Sequence, residues 1–202
     1  MHDFIDESVT NSRYGKSKLN DDILALEGMS SPKVRHLLNN LCSRPGTRYL
    51  EVGCWKGSTL VSALYGNNHW VEKAVAIDNF SEFGGPREEL HNNIENHIAD
   101  ANLQFIEGDF EQLVIPISGI NVYFYDGAHD AQSQQFALHL MYPFLAKQFI
   151  YIVDDWNHPP AREGTEEGLK LYKVLKKVEL PANFNGDKEN YWNGIAIFLL
   201  EK

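Results

Sequence analysis

From Arg48 onward, short runs rich in β-branched and aromatic residues alternate with stretches of helical character. The runs are Tyr49–Val52, Ala74–Ile77, Leu103–Ile106, Val122–Tyr125 and Phe149–Val153. Parallel neighbours in a sheet need a crossover of a dozen or more residues between them, so this alternation reads as βαβ units with helices on both faces of a largely parallel sheet. The crossovers are predicted as a helix from about Ser58, one opened at Pro86 with Glu88 and Glu89 in its first turn, one with an apolar face of Phe136, Leu140, Met141 and Phe144, and one starting near Thr165. Only Leu103–Ile106 is followed by a short connection. The last two runs, Lys177–Leu180 and Gly194–Leu200, are joined by the Gly- and Asn-rich segment Pro181–Asn193, which makes them a hairpin. The expected architecture is α/β: a mostly parallel seven-stranded sheet with one antiparallel strand in the C-terminal hairpin.

Upstream, residues 1–20 are polar and aperiodic and read as an arm that either orders against substrate or a neighbouring subunit, or frays. Leu24, Leu26 and Met29 mark a short helix. Ser31-Pro32 supplies an N-cap and a proline at N1 for a second helix, with Val34, Leu37, Leu38 and Leu41 along one face. Residues 21–202 are expected to form a single domain, since a chain of 202 residues is suited to one hydrophobic core.

Eighteen basic against 28 acidic residues give a formal net charge of −10, a field that repels phosphate backbones and anionic headgroups. Nucleic acid and membrane are therefore not expected partners; a small-molecule acceptor is, with a second copy of the chain in a homodimer as the one protein partner to consider. The two cysteines, Cys42 and Cys54, and an opening without a signal-peptide pattern make the cytoplasm the expected location. Lys170, Lys173, Lys176 and Lys177 read as the solvated face of the last helix.

In an open α/β sheet ligands bind at the carboxyl ends of the strands, and here those positions are repeatedly acidic. The first run ends Glu51-Val52-Gly53-Cys54-Trp55-Lys56-Gly57-Ser58, the second in Asp78, the third is followed by Asp109, the fourth ends in Asp126 and the fifth in Asp154-Asp155. Gly53 and Gly57 let a ligand approach the backbone and let the chain turn into a helix. Asp78 ends the next strand, where a carboxylate can accept both hydroxyls of a ribose, so the pair suggests a nucleoside ligand.

These residues resemble the first motif of the class I S-adenosylmethionine-dependent methyltransferases, an acidic residue, Gly, three residues and Gly, and the terminal hairpin is similar to their last two strands. Tyr125-Asp126-Gly127-Ala128-His129-Asp130 together with Ile152-Val153-Asp154-Asp155-Trp156 looks like the Methyltransferase-24 and macrocin O-methyltransferase-like branch. The resemblance implies a Rossmann-like methyltransferase fold and an S-adenosylmethionine site. Gly53 and Gly57, with Trp55 and Ser58 in the same loop, would cradle the methionine portion and Glu51 would help hold its amino group. Asp78, with Asn79 and Phe80 after it, would bind the ribose, Asp109 and Phe110 would border the adenine, and Asp126 would lie beside the donor. It also implies Mg2+ or another divalent cation on Asp126, Asp154 and Asp155.

The residues themselves leave alternatives open. Carboxylates clustered on adjacent strand ends persist only if protonated, paired or neutralised by a hard ion, and Asp154 or Asp155 could instead cap the following loop. His129 is a candidate general base, an orienter of Asp126, or a cap of the next helix. His158 reads as a loop histidine. Trp55 and Trp156 could line an acceptor pocket and Tyr191-Trp192 could close it, or all four could be packing residues. Cys54 reads as a small packed cysteine. The expected activity is methyl transfer to a small-molecule or sugar hydroxyl, with Asp126 and His129 catalytic. A nicotinamide-dependent oxidoreductase and a non-catalytic nucleoside-binding module are the alternatives; the first lacks two closely spaced glycines in the loop.

Overall fold

The computed structural model describes residues 1–202. Seven strands form one sheet: β1 (Thr47–Val52), β2 (Val71–Asp78), β3 (Leu103–Glu107), β4 (Ile120–Tyr125), β5 (Leu145–Val153), β6 (Lys173–Leu180) and β7 (Ile195–Glu201). Their order across the sheet is β3-β2-β1-β4-β5-β7-β6, parallel throughout except for β7, which is antiparallel to both β5 and β6. This is the expected architecture. The helices are α1 (His2–Arg13), α2 (Asp21–Leu24), α3 (Pro32–Leu41), α4 (Ser58–Leu64), α5 (Arg87–His97), α6 (Ala131–His139) and α7 (Pro159–Gly168). None is long and apolar enough to cross a membrane.

Side chains alternate along each strand, so the sheet buries two cores. Tyr49, Ala74, Ala76, Phe124 and Ile152 face α1, α3 and α4; Leu50, Val52, Ile77, Tyr123, Tyr125, Tyr151 and Phe198 face Ala137, Leu138 and Met141 on the other side. The chain leaves β1 on one side for β2 and later returns to its other side for β4. The crevice between the carboxyl ends of β1 and β4 is thus the topological switch point, where ligands of such sheets bind.

Four expectations are corrected. Residues 1–20 are not a free arm, because α1 packs on α3 and buries Ile5 and Val9 in the first core. Its stripe is Ile5, Ser8, Val9 and Ser12, and the serines return their hydroxyls to Phe4 and Val9 carbonyls, so a polar-looking helix has a buried face. The buried face of α6 is Gln134, Ala137 and Leu138, while Phe136 and Phe144 are half-buried and Leu140 exposed. Helix α7 starts at Pro159 rather than near Thr165. Gly164 and Gly168 are contact points that bring it against α6, since a Cβ at Gly164 would fall 2.1 Å from the Ala131 carbonyl oxygen. Finally, Lys173, Lys176 and Lys177 lie on β6, an edge strand, where lysines discourage pairing with another sheet.

The packing of α1 makes a measurable difference. Ile5→Ala is expected to cost ~2–4 kcal/mol in urea unfolding followed by circular dichroism, as for a core aliphatic residue. A cost below ~0.5 kcal/mol, the range of surface substitutions, would return the segment to the status of an arm.

Candidate active site

The strand ladders run one residue past their ends at the switch point. Gly53 donates to the Ile77 carbonyl at 2.9 Å, Asp126 to Val52 at 2.8 Å and Asp154 to Tyr125 at 3.1 Å, which fixes the acidic residues at the rim of one cleft. Gly53 has φ +85°, and a Cβ there would sit 1.9 Å from the Asp126 carbonyl oxygen, so only glycine lets β1 and β4 close this tightly. The cleft has a volume of about 550 Å3.

At its first end stands the glycine loop. Asp78 receives three backbone N–H groups: Cys54 and Trp55 donate to Oδ2 at 2.7 and 2.8 Å, and Phe80 donates to Oδ1 at 2.7 Å. The carboxylate lines the cleft and at the same time ties the loop after β1 to the loop after β2. Trp55, at φ +46°, lines the wall and donates its indole N–H to the Phe83 carbonyl at 3.0 Å. Ser58, Asn79, Asp109 and Phe110 also line it, Phe110 lying edge-on to Tyr125.

Three residues of the expected donor site lie behind the wall. Gly57 caps α4 at φ +81°, backed by Leu90. Phe80 turns its ring toward Phe105, at 5.8 Å between centroids. Glu51 is fully buried on the Tyr49 side of β1, where the Tyr49 hydroxyl donates to Oε2 at 2.6 Å and Thr59 donates to Oε1 at 2.7 Å. Burial raises its carboxyl to about 8 against the pull of these two donors, so Glu51 braces the loop as a largely neutral acid.

On the β4 and β5 side of the cleft, single ligand atoms of Asp126, His129 and Asp155 all lie within 4.8 Å of one another. His129 Nε2 is 3.9 Å from Asp126 Oδ1 and 2.7 Å from Asp155 Oδ2. Asp126 and Asp155 together raise the imidazole to about 10. Burial lifts the Asp126 carboxyl to about 7 despite the imidazole. Asp155 stays below the usual carboxylate range, because His129 and the Asn193 amide, donating at 2.6 Å, outweigh its desolvation. Asp154, in contrast, is buried, accepts the Asp155 N–H at 2.8 Å and is driven well above the ordinary carboxylate value by that burial.

Of the expected trio, Asp126 and Asp155 stand together with His129, while Asp154 lines the same cleft with its carboxyl turned back to the Asp155 N–H. In the turn between Asp154 and Trp156, Asp155 adopts φ +55°. Of the two readings of Trp156, packing holds: it is buried in the second core with its indole N–H on Glu179 at 2.6 Å. Tyr191 is buried, its hydroxyl paired with Ser12 Oγ at 2.9 Å, whereas Trp192 reaches the cleft. His158 does not line the cleft; its ring stands 6.4 Å from that of His129. Cys54 lines it with a thiol that burial pushes up, as befits a packed cysteine. Met29, Thr59, Phe83 and Asn193 line the cleft without any sequence signal that singles them out.

A family model described as a methyltransferase domain matches residues 50–156. An uncharacterised protein of Acanthamoeba polyphaga mimivirus is 25% identical over 130 residues, covering 60% of this chain and 58% of that protein. Among solved structures, the O-methyltransferase from Bacillus cereus in complex with SAH aligns with a TM-score of 0.60 at 12% identity, covering 98% of this chain and 91% of that one. The SAH-bound Podospora anserina methyltransferase PaMTH1 aligns at 0.61 with 14% identity over 99% and 88%. TrmN from Thermus thermophilus aligns at 0.63 with 14% identity over 90% of this chain, which spans about half its length, 52%. At these identities the likeness is one of fold.

The neutral Glu51 has a signature in stability. A carboxyl whose folded-state pKa is raised binds more protons folded than unfolded between the two values, so it costs stability as pH rises from about 4.5 to about 8. Glu51→Gln is expected to remove that cost, so the variant should gain more than ~1 kcal/mol on the wild type between pH 5 and 8 in urea unfolding. Parallel pH curves for the two proteins would show that Glu51 ionises freely.

Proposed function

The chain belongs to the Methyltransferase-24 family of class I S-adenosylmethionine-dependent methyltransferases, and from that premise we propose that it methylates a hydroxyl oxygen of a small molecule with the help of a divalent cation. The observation that carries this reading is the Asp126, His129 and Asp155 cluster, which shares one cleft with the glycine loop. Two carboxylates and an imidazole so close together fit a divalent ion such as Mg2+ or Mn2+, the carboxylates as hard donors and the imidazole as a borderline one. Such an ion would acidify a bound hydroxyl and offset the carboxylate charge. The methyl donor supplies a sulfonium methyl.

The chain's own residues have separable tasks. Gly53 and the loop pinned by Asp78 present backbone to the donor, and Asp109 and Phe110 line the same cleft. Trp55, Phe83 and Trp192 supply aromatic surface to the cleft wall. Asp126, His129 and Asp155 would hold the ion and orient the acceptor's hydroxyl, the candidates to take its proton being Asp126 and His129. The net charge of −10 and a cleft lined by no lysine or arginine favour a small acceptor over a polynucleotide.

Turnover, read as S-adenosylhomocysteine release over a panel of small neutral hydroxyl compounds, is expected to stop on chelation and return with Mg2+ or Mn2+. Asp126→Asn should lower it ~100-fold or more while S-adenosylhomocysteine affinity stays within ~3-fold. Full turnover after chelation, or a methylated nitrogen as the main product, would overturn the mechanism.

A further inference from the structure

Seven carboxylates line the cleft and neither a lysine nor an arginine does. That lining suits a sulfonium and an ammonium group, but the amino-acid tail of S-adenosylmethionine also ends in a carboxylate, which needs a positive partner. One cation stands just behind the wall. Arg35, on α3, is 3% exposed, and its guanidinium is bound by neutral oxygens alone. Nε donates to Ser30 Oγ at 2.9 Å, and Nη1 donates to the carbonyls of Leu24 at 3.1 Å and Leu26 at 2.8 Å. Nη2 donates to no atom of the chain, and no carboxylate pairs with the group. A guanidinium buried without an anion is a costly arrangement that a bound anion relieves.

Its position relative to the cleft is given by Gly28. A Cβ there would lie 2.8 Å from Arg35 Nη2 and 1.9 Å from Ser58 Oγ, so the guanidinium and the first residue of α4 press on the same glycine. Ser58 and Met29, the neighbour of Gly28, both line the cleft. Ser58 opens α4 directly after the glycine loop. We propose that Arg35 is a donor-binding residue that supplies the counter-charge for the carboxylate of the methionine moiety at the Met29 and Ser58 wall, an assignment that rests on reading the cleft as an S-adenosylmethionine site.

Three ligands separate this role from a purely structural one in titration calorimetry. S-Adenosylhomocysteine carries the carboxylate and the ammonium, its decarboxylated analogue keeps only the ammonium, and 5′-methylthioadenosine has neither. Wild-type protein is expected to bind the decarboxylated analogue about tenfold or more weakly than S-adenosylhomocysteine, despite the acidic lining. Arg35→Met should shrink that gap to within ~3-fold and leave 5′-methylthioadenosine affinity unchanged, with Arg35→Lys in between. Equal binding of the first two ligands by the wild type, a comparison that needs no variant, would overturn the proposal, as would a gap that survives in Arg35→Met. Failure of the wild type to bind S-adenosylhomocysteine at all would instead reject the donor site itself, and the assignment with it.

Discussion

Five carboxyl groups gather at the ends of four neighbouring strands around one crevice, and they cannot all carry charge at close quarters. The structure settles each by a different local means. Glu51 is neutralised by burial and bonded by two hydroxyls; Asp78 is held by three backbone N–H groups; Asp154 is buried beside the Asp155 amide. Asp155 keeps its charge through His129 and Asn193, and Asp126 is left near the middle of the neutral range. Unlike neighbours thus arise from like residues: a bracing acid in Glu51, a loop anchor in Asp78 and a charged pole in Asp155.

The periphery of the fold serves the same arrangement. Asn193 reaches Asp155 because the segment between β6 and β7 is organised on Asp187, which accepts backbone N–H groups from Asn183, Glu189 and Asn190. That segment is in turn fastened to the N-terminal helices: Tyr191 meets Ser12 of α1, and the Asn190 carbonyl accepts from Ser31, the N-cap of α3. Helix α1, polar in its sequence, therefore supports, through two hydrogen-bonded layers, the residue that steadies the charged pole of the site.

How far the sequence discloses this depends on which physical signal each part carries. Strand runs and the Ser31-Pro32 helix start are legible because hydrophobic period and capping chemistry are local. The glycine loop is legible because Gly53 answers a close approach that no other residue tolerates. Helix α1 is hidden because Ser8 and Ser12 look polar while their hydroxyls are satisfied inside the helix, and α7 because Gly164 and Gly168 look like a loop when they are a helix contact. That Asp155 takes a left-handed conformation and bonds His129 has no marker in the sequence. Asn193, Met29 and Arg35 come from segments distant in the chain and gain meaning only from what lies beside them.

The acidic lining also bears on the direction of the reaction. Methyl transfer turns a sulfonium donor into a neutral thioether while the rest of the molecule keeps its charges, so the product carries one positive charge fewer than the donor. In a cleft walled by carboxylates and free of lysine and arginine, that lost charge is a lost attraction. The field therefore holds the donor more firmly than the product, and it does so over distance, without requiring that any one carboxylate touch the sulfur. A counter-charge placed behind the wall rather than in it is compatible with this, because Arg35 is buried outside the lining and leaves the cleft itself without a basic side chain.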